Sequence, residues 1–404
     1  MKKINDFNGL CKKIELPIKF IREIEKLIKL EKGKIYIVGG NVRNLILREK
    51  IISHPDLVVN IPYDSVVKCL KKHNVKFLDI GSQFGSLVVI KDDLKIDITS
   101  MRNDIETDGR WAVTGFTNNL DEDSKRRDFT FNSVYCDTDG NLYDPNNGIN
   151  DLKKRKIKFI GKIQFRIKED YLRILRFVRF SLQISGKINS RYLNICNQSS
   201  KKLKNLSYKR RIDELRIILL EESLQKKSIV GKLETLINSS IETKLNFVNF
   251  SLFCRLESKI KNKSFERRLK FLLRSKKKLP KLFDSNAEQK LKKRLKKVIF
   301  FKKFEDFDIN YNLYKHKKTE LIDQLLIDYF EKNLDSPKLY SLLKRIDVFK
   351  KTKFPVKGND LIDLGFESGE YLGKVIKRVE EWWIKENFKK NKKECLNYSK
   401  TFLP

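Results

Sequence analysis

Several residue types and patterns are scarce in this chain, and each shortage excludes a class of protein. Only six of 404 residues are cysteines, and none forms a Cys-x-x-Cys pair or has the spacing of a zinc site. Dispersed single cysteines are typical of buried thiols in a reducing compartment. No apolar run approaches the roughly 20 residues that span a bilayer, and the first residues lack the apolar core of a signal peptide. We therefore expect a cytoplasmic protein that does not enter a membrane.

Acidic residues are scarce relative to basic ones. The chain has 88 Lys and Arg against 52 Asp and Glu, which gives a formal net charge of +36. Such an imbalance opposes folding by self-repulsion, so a polyanionic partner such as a nucleic acid is the natural explanation. AT-rich coding, which favours Lys, Ile and Asn, accounts for part of the lysine content but does not force so few acids.

The pattern of apolar residues predicts an α+β fold whose parts differ in character. Strand patterns at 34–38, 86–91 and 94–101, with a helix over 42–48, predict an α/β head over residues 1–150. After that point, strand signals fade and helical periodicity dominates.

The later part of the chain is predicted to be all helical. We divide it into a neck over residues 151–240 and a body and tail over 241–404, the latter expected to bind RNA. The best helix candidates lie near residues 169–184, 207–222, 228–238, 264–278 and 286–304.

A glycine pair stands where the first buried strand gives way to a helix. At Gly39 and Gly40 a phosphate could approach the backbone amides without meeting a Cβ, and a helix start adds partial positive charge. Arg43 follows with a forked set of donors that suits a triphosphate. The alternative interpretation is that the pair serves only the turn.

Two further runs combine charge with a distinctive context. Arg126, Arg127 and Asp128 continue into Phe129-Thr130-Phe131-Asn132, and an isolated run of this kind would be a solvated surface cluster. Asp170 and Arg173 stand three residues apart on a predicted helix, so they are expected side by side. Asp170 offers acceptors and Arg173 offers donors, which together can imitate the pairing edge of a base. The alternative is an ordinary intrahelical salt bridge.

These runs together resemble the class II tRNA nucleotidyltransferase and bacterial poly(A) polymerase family. The resemblance covers residues 33–222 and returns over 354–385, where Gly358-Asn359-Asp360 leads to Trp382-Trp383. It implies a polymerase-β-like nucleotidyltransferase head followed by a helical neck, body and tail. It also implies template-independent addition of CMP and AMP to the 3′ end of tRNA, with CTP and ATP as substrates and Mg²⁺ as cofactor.

The resemblance assigns a role to each run. It implies that the triphosphate binds at Gly39, Gly40 and Arg43, that the sugar and phosphates of the nucleotide bind at Arg126, Arg127 and Asp128 with Asn132 nearby, and that the base is read by Asp170 and Arg173. In Ser207–Leu215, Arg210 and Glu214 resemble a pair that braces the base-reading helix, although their i, i+4 spacing fits a purely structural pairing equally well.

The catalytic carboxylates depart from the family pattern. The family has an Asp-x-Asp pair after the glycine turn, but Asp56 is the only acid here between Glu49 and Asp64. If Asp56 matches the second acid, His54 replaces the first. If Asp56 matches the first, Val58 replaces the second.

A further family acid corresponds to Asp97. This residue falls on a predicted strand and could face the same site as Asp56. We expect Asp56 and Asp97 to be catalytic and to hold Mg²⁺, which prefers oxygen donors. The alternative for Asp97 is a surface acid on an edge strand.

Alternatives to full CCA addition remain open at this point. An RNA-binding paralogue that has lost catalysis is consistent with the missing carboxylate. Addition limited to CC or A uses the same motifs. A poly(A) polymerase is less consistent, because the basic Arg/Lys-Arg-Phe segment usual in that branch is missing near Gly81–Leu87.

Overall fold

The architecture comes from a computed structural model of the chain. The described residues are 2–49, 54–82, 85–107, 112–276, 278–280, 289–297, 306–331 and 334–403. The chain divides into two compact units. Unit 1 comprises Met1–Ser223 and Gly231–Glu242, and unit 2 comprises Leu224–Val230 and Thr243–Pro404. The domain boundaries at residues 150 and 240 stay predictions.

The head is built on a mixed sheet. Its strands, in sheet order, are β1 (Lys2–Lys3), β10 (Asn141–Tyr143), β9 (Tyr135–Cys136), β2 (Ile35–Val38), β3 (Asp56–Val59), β6 (Leu94–Ser100), β5 (Ser86–Lys91) and β4 (Phe77–Gly81). Strands β3 and β6 are parallel, and the other neighbours are antiparallel. A second sheet pairs β7 (Arg102–Thr107) with β8 (Ala112–Phe116). The strands predicted at 34–38, 86–91 and 94–101 are confirmed.

The parallel pair β3 and β6 brings two acids together. On β6, Ile96 and Ile98 are buried in the main core of the head, whereas Asp97 and Thr99 alternate with them and are only half-buried. Asp56, at the start of β3, lies directly opposite Asp97 in the register. The sheet therefore presents one carboxylate from each strand on the same face.

Helices cover the apolar face of the sheet. The helices α1 (Phe7–Lys13), α2 (Ile18–Leu30), α3 (Gly40–Leu47) and α4 (Tyr63–Lys72) contribute side chains to the same core as the strands. Two short helices, α5 (Leu120–Lys125) and α6 (Gly148–Lys153), follow later in the chain. Because the apolar face is covered in this way, the polar side chains of β3 and β6 are left facing away from the core.

The helices that follow the head are α7 (Ile163–Glu169), α8 (Leu172–Phe180), α9 (Ser190–Gln198), α10 (Tyr208–Leu220) and α11 (Lys227–Ile241). The predictions near 207–222 and 228–238 are confirmed. The single helix predicted over 169–184 is wrong at both ends. The backbone of Asp170 is extended, with φ −151° and ψ 107°, and Ser181–Ser185 form a π-helical turn.

Unit 2 confirms the prediction of a helical body and tail, since no strand of the described residues follows β10. Its helices are α12 (Phe250–Lys259), α13 (Phe265–Leu273), α14 (Gln289–Lys296), α15 (Asp306–Lys315), α16 (Lys318–Phe330), α17 (Ser336–Val348), α18 (Gly358–Ile362), α19 (Glu370–Lys385) and α20 (Lys392–Lys400). Helix α14 coincides with part of the prediction over 286–304. Residues 281–288 and 298–305 lie outside the described residues.

A buried ionic cluster lies in the interior of unit 2. Glu257 accepts hydrogen bonds from Arg267 at 3.1 Å and from Arg268 at 2.5 Å, and Asp323 accepts from Arg267 and Arg294 at 2.8 Å each. The side chains of Glu257, Arg267, Arg268 and Asp323 have no solvent exposure. Each buried charge is therefore opposed by another, which is the condition for keeping it away from water.

The structure bears on the predictions about the cysteines and about membrane-spanning segments. All six cysteines are buried free thiols, as predicted. Among the described residues, none of the helices combines the length and apolar character needed to cross a bilayer.

Candidate active site

Unit 1 contains a cleft in which the residues nominated from the sequence lie together. Its main cavity has a volume of about 700 Å³ and is lined by Gly39, Gly40, Arg43, Asp56, Arg127, Asp128, Asn132, Asp170, Arg173, Arg176, Arg179, Phe180, Gln183 and Ile217. A second cavity of about 220 Å³ shares Gly39, Asp56 and Arg127 with the first and adds Asp97 and Arg126. Every candidate site residue lines one of these two cavities, while their individual roles stay predictions.

The turn from β2 into α3 requires a glycine. Gly39 has φ 69° and ψ −132°, a conformation that residues with a Cβ rarely adopt. A Cβ at this position would also lie 3.6 Å from Oδ2 of Asp56. The turn therefore sets the start of α3, with its partial positive charge, beside the carboxylate of Asp56.

Asp56 and Asp97 form a like-charged pair on the cleft floor. The backbone N–H of Asp56 donates to Oδ1 of Asn41 at 3.3 Å. Desolvation in the cleft, followed by the neighbouring Asp97 carboxylate, raises the pKa of Asp56 to about 6. Desolvation also raises the pKa of Asp97. In the described part of the chain, no basic side chain lies within ion-pairing distance of either carboxylate.

This pair fits a divalent cation. The pKa of each of these two adjacent carboxylates stays raised although Arg127 and Arg176 act to lower that of Asp56, so a bound cation would stabilise the pair. Carboxylate oxygens are also the donors that Mg²⁺ prefers. The described residues contain no cluster of three or more His, Cys, Asp or Glu side chains already arranged around one point. The site thus provides two carboxylate donors from the protein. Val58, one of the two positions considered for the missing family acid, is buried in a small apolar cluster.

Asp123 organises the two arginines beside this pair, and the sequence reading missed it. Its buried carboxylate accepts from Arg126 Nε, Arg127 Nη2 and the Tyr135 hydroxyl, each at 2.8 Å. Although burial opposes its charge, the arginines hold the pKa of Asp123 far below its usual value. An acid three residues before Arg126 on α5 was the available signal.

Asp128 lies at the centre of a second network. Its Oδ1 accepts from the backbone of Phe129 at 2.8 Å and from Asn132 at 3.0 Å, and its Oδ2 accepts from Arg176 at 2.5 Å. The Arg176 guanidinium is the main reason that the pKa of Asp128 is lowered despite burial. Asp128 therefore lines the cavity with both oxygens already bonded to protein donors.

Asp170 and Arg173 both reach the cavity, but not as a pair on one helix. Asp170 precedes α8, where Oδ1 accepts from the backbone of Leu172 at 3.0 Å and Oδ2 from Arg210 at 2.7 Å. Arg173, on α8, donates to Glu169 at 2.6 Å. The expectation that the two lie side by side on a helix is wrong, because the chain breaks between α7 and α8.

Arg173 also fastens the start of α8 to the head. It donates to the carbonyl of Arg126 at 2.9 Å. A base can therefore pair with this guanidinium only if it displaces one of these protein acceptors, the Glu169 carboxylate or the Arg126 carbonyl. The predicted spacing of Arg210 and Glu214 does not give an internal pair, since Arg210 bonds Asp170 while Glu214 lies 3.3 Å from Arg179.

The main cavity is predominantly cationic. Arg176 and Arg179 extend the row begun by Arg173 along one face of α8, and Arg43 lies across the ring of Phe180 at 5.3 Å. Burial lowers the pKa of Arg179 to about 10, so it stays protonated at neutral pH. The sequence shows the i, i+3 spacing of Arg173, Arg176 and Arg179, but it does not show that their side chains face the cavity.

The chain is similar to known proteins over most of its length. Residues 35–158 match the Poly A polymerase head domain. The chain is 26% identical to the mitochondrial CCA tRNA nucleotidyltransferase 1 of Mus musculus, over 94% of this chain and 89% of that protein. It is 28% identical to the CCA-adding enzyme of Lactococcus lactis subsp. cremoris, over 96% and 98% respectively.

Solved structures share the fold. The Bacillus stearothermophilus CCA-adding enzyme in complex with CTP has a TM-score of 0.69 and 21% identity, over 96% of this chain and 97% of that one. The Thermotoga maritima CCA-adding enzyme complexed with tRNA has a TM-score of 0.67 and 20% identity, over the full length of both chains. The chain therefore shares the fold of these solved CCA-adding enzymes, and its head matches the Poly A polymerase head domain.

Proposed function

We propose that this chain adds CMP and AMP to the 3′ end of tRNA, taking them from CTP and ATP without a nucleic-acid template. The observation that carries the proposal is the cleft of unit 1, which brings an acid pair, a glycine turn and the Asp170–Arg173 segment together. The relatives of Mus musculus and Lactococcus lactis described above, which match most of the chain, are a CCA tRNA nucleotidyltransferase and a CCA-adding enzyme.

The reaction is a displacement at phosphorus. The 3′ hydroxyl of tRNA attacks the α-phosphate in line, a new P–O bond forms, the bond to the β-phosphate oxygen breaks, and pyrophosphate leaves while the hydroxyl proton passes to solvent. Asp56 and Asp97 would hold the divalent cation, predicted to be Mg²⁺, which when bound offsets the negative charge of the reacting phosphates.

The arginines of the cleft stabilise the triphosphate. Arg43, Arg176 and Arg179 place positive charge around the main cavity, and the start of α3 adds its partial charge. Asp123 keeps Arg126 and Arg127 in fixed orientations, so they need little rearrangement when a nucleotide enters.

Base selection falls to Asp170 and Arg173. Their acceptors and donors are held at the cavity wall by Arg210 and Glu169 before a base arrives. Cytosine and adenine both carry an exocyclic amino group beside a ring nitrogen acceptor, whereas uracil and guanine carry a carbonyl beside a ring N–H. A carboxylate next to a guanidinium therefore favours the first two bases.

The direct test is incorporation of labelled CTP and ATP into tRNA that lacks its 3′ end, with sequencing of the products. Addition of C, C and A supports the proposal. Addition of CC or of A alone identifies a partial enzyme, and a run of A identifies a poly(A) polymerase. Binding of tRNA without any incorporation identifies an RNA-binding paralogue. The cytoplasmic location stays a prediction, since relatives include a mitochondrial protein.

Asp170→Asn is expected to weaken base selection. The change keeps the shape of the side chain but replaces an acceptor oxygen with a donor NH₂. The variant should lose roughly 1–3 kcal/mol of the free energy that discriminates CTP from UTP, so the ratio of their kcat/KM values should fall about 5- to 150-fold. Single-nucleotide incorporation with each triphosphate measures this ratio. Asp213→Asn, at an exposed position on α10, is the matched control and should leave the ratio unchanged.

A lysine-rich cavity in unit 2 is proposed to bind the tRNA backbone. Its volume is about 500 Å³, and its lining contains Lys297, Lys315, Lys317, Lys318 and Lys351 with His316, against the single acid Glu320. Clustered lysines attract phosphates and release counterions when they bind. The residues that line this cavity fall between residues 222 and 354, the part of the chain that the family resemblance does not cover.

Removing two of these lysines should weaken tRNA binding and its salt dependence. For Lys317→Ala with Lys351→Ala, the slope of log affinity against log salt should become shallower by roughly 1–2. Filter binding of tRNA across a salt series measures the slope. The control removes the same charge from α4 with Lys68→Ala and Lys71→Ala, both exposed. Equal slopes for the two double variants would contradict the proposal.

A further inference from the structure

His316 stands in the turn between α15 and α16, on the wall of the lysine-rich cavity of unit 2. Its backbone N–H donates to the carbonyl of Asn312 at 2.9 Å, which closes the last turn of α15. Helix α16 then begins two residues later, at Lys318. The turn therefore places an imidazole among the lysines that line the cavity.

One nitrogen of this imidazole lacks a protein partner. The Nδ1 atom of His316 is shielded from solvent and has no hydrogen-bond partner among the described residues. Buried polar groups almost always have a partner. A neutral imidazole carries one donor and one acceptor nitrogen, whereas the charged ring carries two donors. A ligand that enters the cavity can therefore satisfy this ring, and its charge decides which form of the ring it favours.

Two of the five cavity lysines are already neutralised by acids. The Nζ atom of Lys297 lies 2.6 Å from a carboxylate oxygen of Glu320, and that of Lys315 lies 2.6 Å from a carboxylate oxygen of Glu380. These two pairs add little net charge to the cavity.

The other three lysines leave the cavity with excess positive charge. Lys317, Lys318 and Lys351 form no ion pair with an acid in the part of the chain that the structure describes. Lys318 donates to the backbone carbonyl of Asp347 at 2.8 Å, and Lys351 lies 5.2 Å from the centre of the Tyr314 ring. Neither a carbonyl nor an aromatic ring cancels a full charge, so the ligand that this cavity favours is an anion.

The surroundings of His316 favour its neutral form in the free protein. Burial, followed by the charge of Lys297, lowers the pKa of His316, and Glu320 opposes this only in part. The other charged groups on the wall of the cavity are Lys315, Lys317, Lys318 and Lys351. A phosphate would bring negative charge to the ring and accept its N–H, and both effects raise the pKa of a histidine.

We propose that His316 binds a backbone phosphate of tRNA in its protonated form, so that the lysine-rich cavity takes up a proton when the RNA binds. The inference rests on the proposed function, because it takes this cavity as a contact site for the tRNA backbone. It goes further by making the affinity for tRNA depend on pH through one identified residue.

The direction of this dependence follows from linkage. Between the lower pKa of the free ring and the higher pKa of the ring in the complex, binding takes up a proton. Affinity therefore increases as pH falls through this window, by up to about tenfold per pH unit for one proton. Above the window the ring is neutral in both states, and below it the ring is charged in both, so the effect of His316 on the pH dependence ends at each limit.

The test counts protons as the full chain binds tRNA that lacks its 3′ end. Calorimetry in buffers that differ in their heat of ionisation gives this number. Near pH 6.5, the ordinary pKa of histidine, the parent should take up roughly half a proton more than His316→Gln. His73→Gln, at an exposed position after α4, is the control and should match the parent. Comparing variants cancels groups that titrate in the same range, such as Asp56, whose pKa is about 6.

A second variant separates protonation from a structural role. His316→Lys keeps a positive charge that does not titrate near neutral pH. It should lose the extra proton uptake, as His316→Gln does, but it should bind tRNA more tightly than the parent at about pH 8. Weaker binding by both variants at every pH, with unchanged proton uptake, would show a structural role and overturn the inference. Equal uptake by the parent, His316→Gln and His73→Gln would also overturn it.

Failure of this inference is distinguishable from failure of the proposed function, because the measurement needs no turnover. Proton uptake that depends on His316, without incorporation of CTP or ATP, supports the inference and contradicts the enzyme. Incorporation without such uptake supports the enzyme and contradicts the role of His316. Circular dichroism confirms that each variant is folded before its binding is compared.

Discussion

Asp56→Asn should reduce nucleotide incorporation by roughly three orders of magnitude. The asparagine keeps the size of the side chain but removes one of the two negative charges on the cleft floor. A metal ion contributes several kcal/mol of charge stabilisation to such a transition state, and each 1.36 kcal/mol corresponds to about tenfold in rate. Single-turnover incorporation of labelled CMP into tRNA lacking its 3′ end measures the loss.

Two further variants test the reason for this loss. Asp64→Asn, at an exposed acid on α4, should keep the parent rate. If Asp56 and Asp97 hold the same ion, the double variant Asp56→Asn with Asp97→Asn should be little worse than either single variant, because residues that act as a unit are not additive. An Asp56→Asn protein that is folded and retains more than about a tenth of the parent rate would contradict the assignment.

Glu257→Gln should lower the free energy of unfolding of unit 2 by about 3–5 kcal/mol, the typical cost of removing one partner of a buried ion pair. Glu257 is fully buried between Arg267 and Arg268, which both donate to it. Glutamine removes the charge and also turns an NH₂ group toward one of these donors. Arg268 then loses the negative charge of its Glu257 partner, and Arg267 loses one of its two carboxylate partners and keeps Asp323.

Glu331→Gln is the matched control, since Glu331 is half exposed and bonds Arg274 at 2.9 Å. Because the Glu331 carboxylate is in contact with water and Arg274 keeps its bonds to backbone carbonyls, we expect this change to cost about 1 kcal/mol or less, as for a surface pair. Urea unfolding followed by circular dichroism compares the two variants, and hydrogen exchange of the α13 amides reports the local effect within unit 2. Equal stability of the two variants would contradict the role of the buried cluster.

The fold, and the residues that line the cleft, could be predicted from the sequence where they depend on neighbouring residues in the chain. Gly39 is recognisable because a strand must turn into a helix there, and its positive φ is a property of the residue itself. Asp97 shows its direction through the period-two alternation of its strand.

The features that could not be predicted depend on partners far along the chain. Asp123 is separated by only a few residues from Arg126, but its importance comes from complete burial beside Tyr135. Asp170 lies outside the helices, with an extended backbone, and accepts a hydrogen bond from Arg210, 40 residues away. Helical periodicity in the sequence does not predict that contact. Arg267 and Arg268 fall on the helix predicted near 264–278, but helical periodicity does not show that tertiary packing buries both.

Equilibrium binding of the four nucleoside triphosphates to the chain, with no RNA present, tests whether Asp170 and Arg173 on the wall of the cleft read the base without a template. We expect CTP and ATP to bind at least about tenfold more tightly than UTP and GTP, within the roughly 1–3 kcal/mol of a paired set of hydrogen bonds. Equal affinity for all four, with triphosphate binding intact, would contradict it.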